Sequence, residues 1–184
     1  MENLGISYYP QWASDMEEVR MNDVHWLDPV TRWDSRHNRK VVGRPTQGFG
    51  SDEFSYAGKT INPRPWEDNY QINAIKEKLE RFLGVQFYFC LVGLYEDHTI
   101  GIPMHSDEIA HDDDVIASIS FGASRVFEIQ PVQSGLPLQR YLLNSGDLVI
   151  MTGENQRLCQ HAVPPMSTPC GPRVNLTFRT KRSF

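Results

Sequence analysis

The chain has 184 residues, of which 40% are hydrophobic and 11% aromatic. This length and composition predict one folded domain with a sizeable core, and they exclude a chain that is disordered throughout. The formal net charge of −5 argues against a protein that wraps nucleic acid around its whole surface, although a local basic patch is compatible with it.

Cysteine usage and hydropathy predict an intracellular protein. The three cysteines, Cys90, Cys159 and Cys170, are odd in number and lack CxxC spacing, which is typical of a reduced compartment. The N-terminus has no cationic stretch followed by an apolar run, and no segment approaches eighteen consecutive apolar residues. We therefore expect a cytoplasmic or nuclear protein without a signal peptide or membrane span, and we expect a monomer.

A basic cluster lies within the first sixty residues of this otherwise acidic chain. The stretch "TRWDSRHNRKVVGR" places five cations close together, namely Arg32, Arg36, Arg39, Lys40 and Arg44. A solvated turn explains the cluster, and so does an arm that contacts the phosphates of a nucleic acid. The sequence leaves both interpretations open.

The first regular element that the sequence predicts is an amphipathic helix over about 66–84. In "PRPWEDNYQINAIKEKLERFLG", Lys and Glu lie opposite a helically spaced apolar stripe. The stripe consists of Ile72, Ile75, Leu79, Phe82 and Leu83. Pro65 precedes the segment and Gly84 follows it, as is typical of helix boundaries. The stripe is expected to face the core.

Strand signals dominate the remainder of the chain. "VQFYFCLVGLY" is long enough for a buried strand, and shorter segments follow between turns: "VIASISFG", "RVFEIQ", "QRYLLN", "DLVIMT" and "RVNLTFRT". No helical pattern separates these later strands, which disfavours a parallel α/β sheet. One helix ahead of many short strands predicts a mainly β sandwich or barrel on helical support.

The segment "IPMHSDEIAHDDDV" is either a solvated acidic loop or part of a metal site. His105 and Asp107 are two positions apart, so both side chains project from one face of an extended chain. His161, which follows the strand "DLVIMT", is the candidate for a third ligand. Two histidines and one carboxylate, with other positions open, are the arrangement of non-haem Fe(II) oxygenases. The following "HDDD" is expected to be the solvated part.

The C-terminal segment "PRVNLTFRTKR" alternates between apolar and polar residues. Its polar positions include Arg173, Asn175 and Arg179. On the inner face of a barrel, two arginines and an amide would suit a small dicarboxylate, because guanidinium groups bind carboxylates bidentately. A strand that leaves the arginines at the surface is the alternative.

In this order, the motifs resemble those of the AlkB family of Fe(II)/2-oxoglutarate dioxygenases, particularly its DNA-repair branch. The similarity runs from about residue 41 to 182, and it includes "FSYAGKTINPRPW", "LYEDHTIGIPMHSDE", "ASISFGASRVFEI", "SGDLVIMTGENQRLCQHAVPP" and "PRVNLTFR". It implies a double-stranded β-helix, the cupin-like jelly roll, preceded by a nucleotide-recognition lid. Within a single AlkB-like domain of residues 1–184, the extension and lid would cover about 1–60 and the jelly-roll core about 85–182.

The resemblance also implies roles for individual residues. By position, the iron ligands match His105, Asp107 and His161. The 2-oxoglutarate contacts match Tyr95, Arg173, Asn175 and Arg179. On the substrate side, Tyr56 falls where an aromatic ring stacks on the target base, and Glu108 where an acidic side chain contacts it. Arg125 is a further candidate substrate residue.

The activity that the resemblance implies is oxidative demethylation with Fe(II), 2-oxoglutarate and O₂. The expected substrates are N-alkylated bases of DNA or RNA, such as 1-methyladenine and 3-methylcytosine, and the products are formaldehyde, succinate and CO₂. A base in a duplex would first be flipped out of the stack.

Two departures put the substrate in doubt. Gly93 stands where the family commonly has Asn, so one cosubstrate hydrogen bond would be lost or supplied by water. Glu108 and Ile109 follow the ligand aspartate where the family often has a doubled acid. The alternative substrates are a free nucleoside or another small metabolite, and a catalytically silent binding module is a third interpretation.

Overall fold

In the computed structural model of the chain, the described residues are 6–29, 31–34, 39–56, 59–109, 111–133 and 138–180. Two α-helices lie within these ranges, α1 (Tyr70–Leu83) and α2 (Gly153–Leu158). The strands in the same ranges are β1 (Ser7–Tyr9), β2 (Thr31–Asp34), β3 (Arg39–Val42), β4 (Thr46–Gly50), β5 (Phe54–Tyr56), β6 (Lys59–Ile61), β7 (Phe87–Tyr95), β8 (Ile102–His105), β9 (Val115–Gly122), β10 (Arg125–Pro131), β11 (Gln139–Leu143), β12 (Leu148–Thr152), β13 (Cys159–Val163) and β14 (Arg173–Thr180).

Two antiparallel sheets form the body of the fold. The larger has six strands in the order β1-β12-β9-β14-β7-β4, and the smaller has four in the order β11-β10-β13-β8. Two hairpins, β2-β3 and β5-β6, complete the strand pairing in the described part of the chain. This mainly β jelly-roll architecture with helical support confirms the predicted fold class. No helix in the described residues is both long and apolar enough to cross a membrane.

The two sheets pack face to face through an apolar cluster. The larger sheet contributes Tyr95, Ile116, Val149 and Met151, while the smaller contributes Phe127, Ile129, Leu143, Cys159 and Val163. Aligned packing of two sheets leaves a layer of interdigitated side chains about 10 Å thick between them. Polar residues that point into this layer are therefore enclosed by protein.

The outer face of the larger sheet is covered by α1 and by the N-terminal segment. Ile72, Ile75 and Leu79 of α1 are fully buried against it, as the apolar stripe predicts, whereas Phe82 of the same stripe is exposed. Burying each such side chain stabilises the fold by roughly 1.5–3 kcal/mol. The N-terminal region also supplies β1 and β4, which form the two edges of the larger sheet. The sheet thus begins well before the predicted core boundary near residue 85.

The helix begins later than the sequence predicts. Trp66–Asp68 forms a 3₁₀ turn, and the α-helix starts at Tyr70 instead of near residue 66. The reason is Asn69, which has an extended backbone and accepts a hydrogen bond from the Ile72 N–H at 3.0 Å. An N-cap of this kind fixes the first turn. At the other end, Gly84 adopts the left-handed conformation expected of a terminating glycine, with φ 69°.

Strand β14 lies between β7 and β9, near the centre of the larger sheet, and both of its faces are buried. Val174, Leu176 and Phe178 point towards α1, where they belong to the outer core. Because side chains alternate along a strand, Arg173 and Asn175 point the other way, towards the smaller sheet. The predicted alternation is therefore observed, with the polar face directed inward.

Candidate active site

Two histidines are brought together by neighbouring strands of the smaller sheet. His105 ends β8, His161 lies within β13, and the two residues are direct partners in the antiparallel register. Their ring centroids are 4.3 Å apart. Two residues that are 56 positions apart in sequence thus become neighbours through the pairing of β8 with β13.

Asp107 completes the cluster from the loop after β8. One carboxylate oxygen lies 3.8 Å from Nε2 of His105, and the other lies 3.8 Å from Nε2 of His161. The three candidate ligand atoms all fall within 4.8 Å of one another. An ion about 2.1 Å from each ligand bridges atoms up to about 4.2 Å apart, which covers both histidine–carboxylate distances. The three side chains therefore form a candidate site for one metal ion.

The protonation states of these residues suit metal binding. Nδ1 of His105 lies 2.9 Å from the carbonyl oxygen of Pro103, so the proton on Nδ1 leaves Nε2 free to donate a lone pair. Burial lowers the pKa of His161 to about 4, so its imidazole is neutral at physiological pH. Burial opposes ionisation of Asp107, but Arg179 and the two imidazoles outweigh it and hold the Asp107 pKa below its usual value.

Two further residues position the carboxylate. Gln156 of α2 is buried, and its side-chain oxygen accepts a hydrogen bond from the Asp107 backbone N–H at 2.9 Å. Arg179 of β14 lies 3.0 Å from a carboxylate oxygen of Asp107. The loop that carries Asp107 is therefore fixed from the helix side and from the sheet side.

Beyond the triad, the cavity between the sheets is polar along β14. Arg173 donates to the Ser120 hydroxyl at 2.8 Å and to the Asn175 side-chain oxygen at 2.6 Å. Asn175 in turn accepts from Ser118 and donates to Thr177. These contacts hold the arginine and the amide in the cavity that His105, Asp107 and His161 also line.

The arginines of this cavity retain hydrogen-bonding capacity. Nε and Nη1 of Arg173 and Nε of Arg179 are buried and make no hydrogen bond within the described part of the chain. An unpaired buried donor is costly, and charged donors more so. Burial lowers the pKa of Arg173, and the nearby guanidinium groups add to this effect. A small anion carrying two carboxylates would satisfy these donors, so the residues fit 2-oxoglutarate.

Sequence comparison agrees with this chemistry. The family described as "2OG-Fe(II) oxygenase superfamily" matches residues 6–179. The chain belongs to this superfamily. Membership confirms the predicted enzyme class, an Fe(II)/2-oxoglutarate-dependent dioxygenase, and the predicted cofactors Fe(II), 2-oxoglutarate and O₂.

Within the superfamily, the chain is similar to AlkB homologues, as its motifs predict. It is 34% identical to "Alpha-ketoglutarate-dependent dioxygenase alkB homolog 3" of Homo sapiens, over 74% of this chain and 51% of that protein. It is 31% identical to "DNA oxidative demethylase ALKBH2" of Bos taurus, over 73% of this chain and 51% of that protein. The chain spans about half the length of these curated relatives. A solved structure, "The structure of OsALKBH1", aligns with a TM-score of 0.49 and 19% identity, over 82% of this chain and 75% of that chain.

Tyr95, at the end of β7, lies among three arginines. The guanidinium carbons of Arg173, Arg44 and Arg125 are 4.8, 5.0 and 5.3 Å from the centre of its ring. Tyr95, Arg173 and Arg44 line the cavity. This end of the cavity is therefore strongly positive, while the other end carries the metal ligands.

The predicted substrate residues are placed differently from one another. Glu108 is exposed, and its backbone oxygen lies 3.5 Å from Arg179. Arg125 is 1% exposed and donates to the carbonyl oxygens of Asp97, Ile100 and Pro164. Arg125 is not among the residues that line the cavity, so its position does not support a substrate contact. The Tyr56 side chain lies outside the described residues.

The acidic loop after the triad is separate from the metal site. His111 is exposed, and Asp112 forms an ion pair with Arg157 of α2 at 2.6 Å. The "HDDD" residues thus lie apart from the three candidate ligands, as the sequence predicted. Of the basic cluster, Arg32, Arg36, Arg39 and Lys40 have side chains outside the described residues, so the choice between a turn and a phosphate arm stays open for them.

Sequence reasoning missed several residues of the site. Ser118 and Ser120 alternate with apolar residues in "VIASISFG", and Thr177 shares the polar face of β14, so the period of two could have identified all three. Arg44 and Gln156 left no such signal. Arg44 was assigned to the basic cluster, and Gln156 reaches Asp107 only through the tertiary fold.

Proposed function

We propose that the protein removes alkyl groups oxidatively from N-alkylated nucleic-acid bases, such as 1-methyladenine and 3-methylcytosine in DNA or RNA. The observation that carries the proposal is the shared cavity, in which a His-Asp-His triad faces an arginine-rich end. The names of the relatives, which include a DNA oxidative demethylase, support the substrate class. An intracellular location would agree with such a substrate.

The charges at the two ends of the cavity indicate which residues would bind the iron and which would bind the cosubstrate. His105, Asp107 and His161 would hold the iron, while Arg173, Asn175, Tyr95 and Arg179 would hold the cosubstrate. When bound, iron with 2-oxoglutarate and O₂ supplies the oxidation that releases the methyl group as formaldehyde, with succinate and CO₂ as the other products. The protein contributes fixed ligand geometry, because Gln156 and Arg179 hold Asp107, and it contributes a cavity enclosed by two sheets.

The β5-β6 hairpin is the candidate substrate clamp. Phe54 of this hairpin lies with its ring 4.6 Å from the Arg179 guanidinium, which in turn contacts Asp107. The hairpin therefore lies beside the metal ligands. Tyr56 belongs to the same strand. In this proposal Tyr56 stacks on a base, and the exposed Glu108 contacts the cationic edge of that base.

A substrate panel tests the proposal. The protein is incubated with Fe(II), 2-oxoglutarate and ascorbate, and with methylated single-stranded DNA, duplex DNA, RNA or methylated nucleosides. We expect formaldehyde to form with at least one methylated polymer, in proportion to the succinate. Intact methyl groups on every polymer, under conditions in which 2-oxoglutarate is consumed, would contradict the proposal.

A groove beside the hairpin favours a second candidate, oxidation of a free nucleoside or another small metabolite. The groove is lined by Asp52, Glu53 and Glu67 together with Pro65 and Trp66. Carboxylates at this place would repel the phosphates of a polymer, and the net charge of −5 acts in the same direction.

Salt dependence separates the two candidates. Polymer turnover should fall steeply between about 50 and 200 mM salt, because each phosphate contact releases counterions. Turnover of a nucleoside should change little over the same range. A salt-independent reaction that prefers the nucleoside would establish the second candidate.

A further inference from the structure

Arg44 lies beside the cosubstrate end of the cavity. It lies two residues before the start of β4, and the next residue, Pro45, accepts a hydrogen bond from the backbone N–H of Leu94 at 2.9 Å. This bond holds the chain at Arg44 against the end of β7. The Arg44 guanidinium is 5.0 Å from the Tyr95 ring centre, and Arg44 lines the same cavity as Arg173 and Asn175.

The position of Arg44 depends on Gly93. Gly93 lies in β7 between Thr46 of β4 and Asn175 of β14. A Cβ added at Gly93 would lie 2.5 Å from Nε of Arg44 and 3.3 Å from its guanidinium carbon. Any side chain at position 93 would therefore displace the arginine. The absence of a Cβ at this position is what admits the guanidinium to the cavity.

The charge of the cavity fits a dianion better when Arg44 is counted. Among the described lining residues, the cations are Arg44, Arg173 and Arg179, and Asp107 is the only carboxylate. Asp107 is already contacted by Arg179 at the metal end. At the Tyr95 end, Arg44 and Arg173 approach the same ring from distances of 5.0 and 4.8 Å. Like charges held so close in a partly buried cavity favour an anion between them.

We infer that Arg44 is a third cosubstrate-binding arginine, which acts with Arg173 and Tyr95 on the carboxylate of 2-oxoglutarate that lies away from the metal. Gly93 contributes to this binding site, because the lack of a side chain at position 93 leaves the space that Arg44 occupies. The inference rests on the proposed cosubstrate site. It replaces the expectation that the hydrogen bond lost with the family's Asn is absent or supplied by water.

Binding of 2-oxoglutarate to the Mn(II)-loaded protein, measured by calorimetry, tests the inference without turnover. Arg44→Ala should weaken binding roughly 10- to 100-fold, as expected for loss of a charge-assisted contact. Arg44→Lys should retain part of the affinity. Arg64→Ala is the matched control, since Arg64 is a half-exposed arginine paired with Asp68, and it should leave affinity unchanged. Thermal melts of the metal-free variants verify folding.

A mutant cycle tests the dependence on Gly93. Gly93→Ala should weaken 2-oxoglutarate binding by displacing Arg44, and the Gly93→Ala/Arg44→Ala double variant should bind no more weakly than Arg44→Ala alone. Fully additive losses in the folded variants would overturn the link between the two residues.

The monoacid 2-oxopentanoate separates the two ends of the cosubstrate. Arg44→Ala should leave its affinity unchanged, because this ligand lacks the remote carboxylate. Equal weakening of both ligands, or wild-type affinity of Arg44→Ala for 2-oxoglutarate, would overturn the inference. A wild-type protein that binds Mn(II) but not 2-oxoglutarate would instead refute the proposed cosubstrate site itself.

Discussion

Gln156→Ala offers a test of how the metal site is built. Gln156 does not line the cavity that contains the triad, yet its buried side chain accepts the hydrogen bond of the Asp107 backbone N–H. We expect the substitution to weaken metal binding while leaving all three ligands in place. The affected step is the positioning of the Asp107 carboxylate between His105 and His161.

The magnitude follows from the hydrogen bond. Removing one partner of a buried hydrogen bond costs about 1–3 kcal/mol. If the lost hydrogen bond destabilises the metal-bound protein by this amount relative to the metal-free protein, the affinity for the metal decreases by roughly 10- to 100-fold, since about 1.4 kcal/mol corresponds to a factor of ten. Loss of a partner that orients a metal ligand typically has an effect of about the same size.

Competition of the protein with a fluorescent chelator for Mn(II) or Fe(II) measures the effect directly. Gln160→Ala is the matched control, because Gln160 lies four residues further on, is exposed and faces away from the site. A thermal melt of the metal-free protein separates lost metal affinity from lost stability. Equal metal affinities of the folded Gln156→Ala and Gln160→Ala variants would refute the positioning role.

Three other outcomes are expected. Asp107→Ala should abolish metal binding and also destabilise the metal-free fold by about 3–5 kcal/mol, because it leaves Arg179 buried without its carboxylate partner. Asp107→Asn should destabilise the fold less. A metal-free Asp107→Ala protein as stable as wild type in urea would contradict this expectation. Phe178→Ala, at a fully buried position, should cost about 3–5 kcal/mol of unfolding free energy in urea, and a cost below about 1 kcal/mol would show that the outer core is misassigned. Burial opposes ionisation of Asp147, but the hydrogen bonds that its carboxylate makes with Gln11, Asn144 and Tyr8 outweigh the effect of burial and lower the Asp147 pKa. The ionised carboxylate therefore stabilises the fold above about pH 4, and this stabilisation is lost as the pH falls through the pKa of the folded state. The stability difference between wild type and Asp147→Asn should therefore shrink in acid, and a difference that is constant from pH 6 to pH 3 would contradict that assignment.

The fold was predictable where the sequence pattern reports burial directly. The helical stripe of α1 and the alternation of β14 both reflect one apolar face meeting the core, and both are observed, except that Phe82 of the stripe is exposed. The start of α1 was less predictable, because Asn69 caps the helix within a segment whose composition suits a helix throughout. The edge strands β1 and β4 were missed because each is short and owes its pairing to distant strands.

The residues of the candidate site likewise include some that local sequence patterns predict and others that only the tertiary structure reveals. The spacing of His105 and Asp107 and the position of His161 after a later strand predicted the three candidate ligands, and the resemblance matched the same residues. Arg44 and Gln156 act through contacts between segments far apart in sequence, which no local period encodes. Gly93 departs from the family's pattern in the sequence alone, but only the structure shows that a Cβ at this position would collide with Arg44.

The central claim is that one cavity binds iron at the triad and 2-oxoglutarate at the arginine end. The visible absorption that Fe(II) gains when a 2-oxo acid binds to it, recorded without oxygen, tests this most directly. We predict a band in the wild-type protein only when Fe(II) and 2-oxoglutarate are both added, and no band in Asp107→Ala. No band in the wild-type protein, or an undiminished band in Asp107→Ala, would contradict the account.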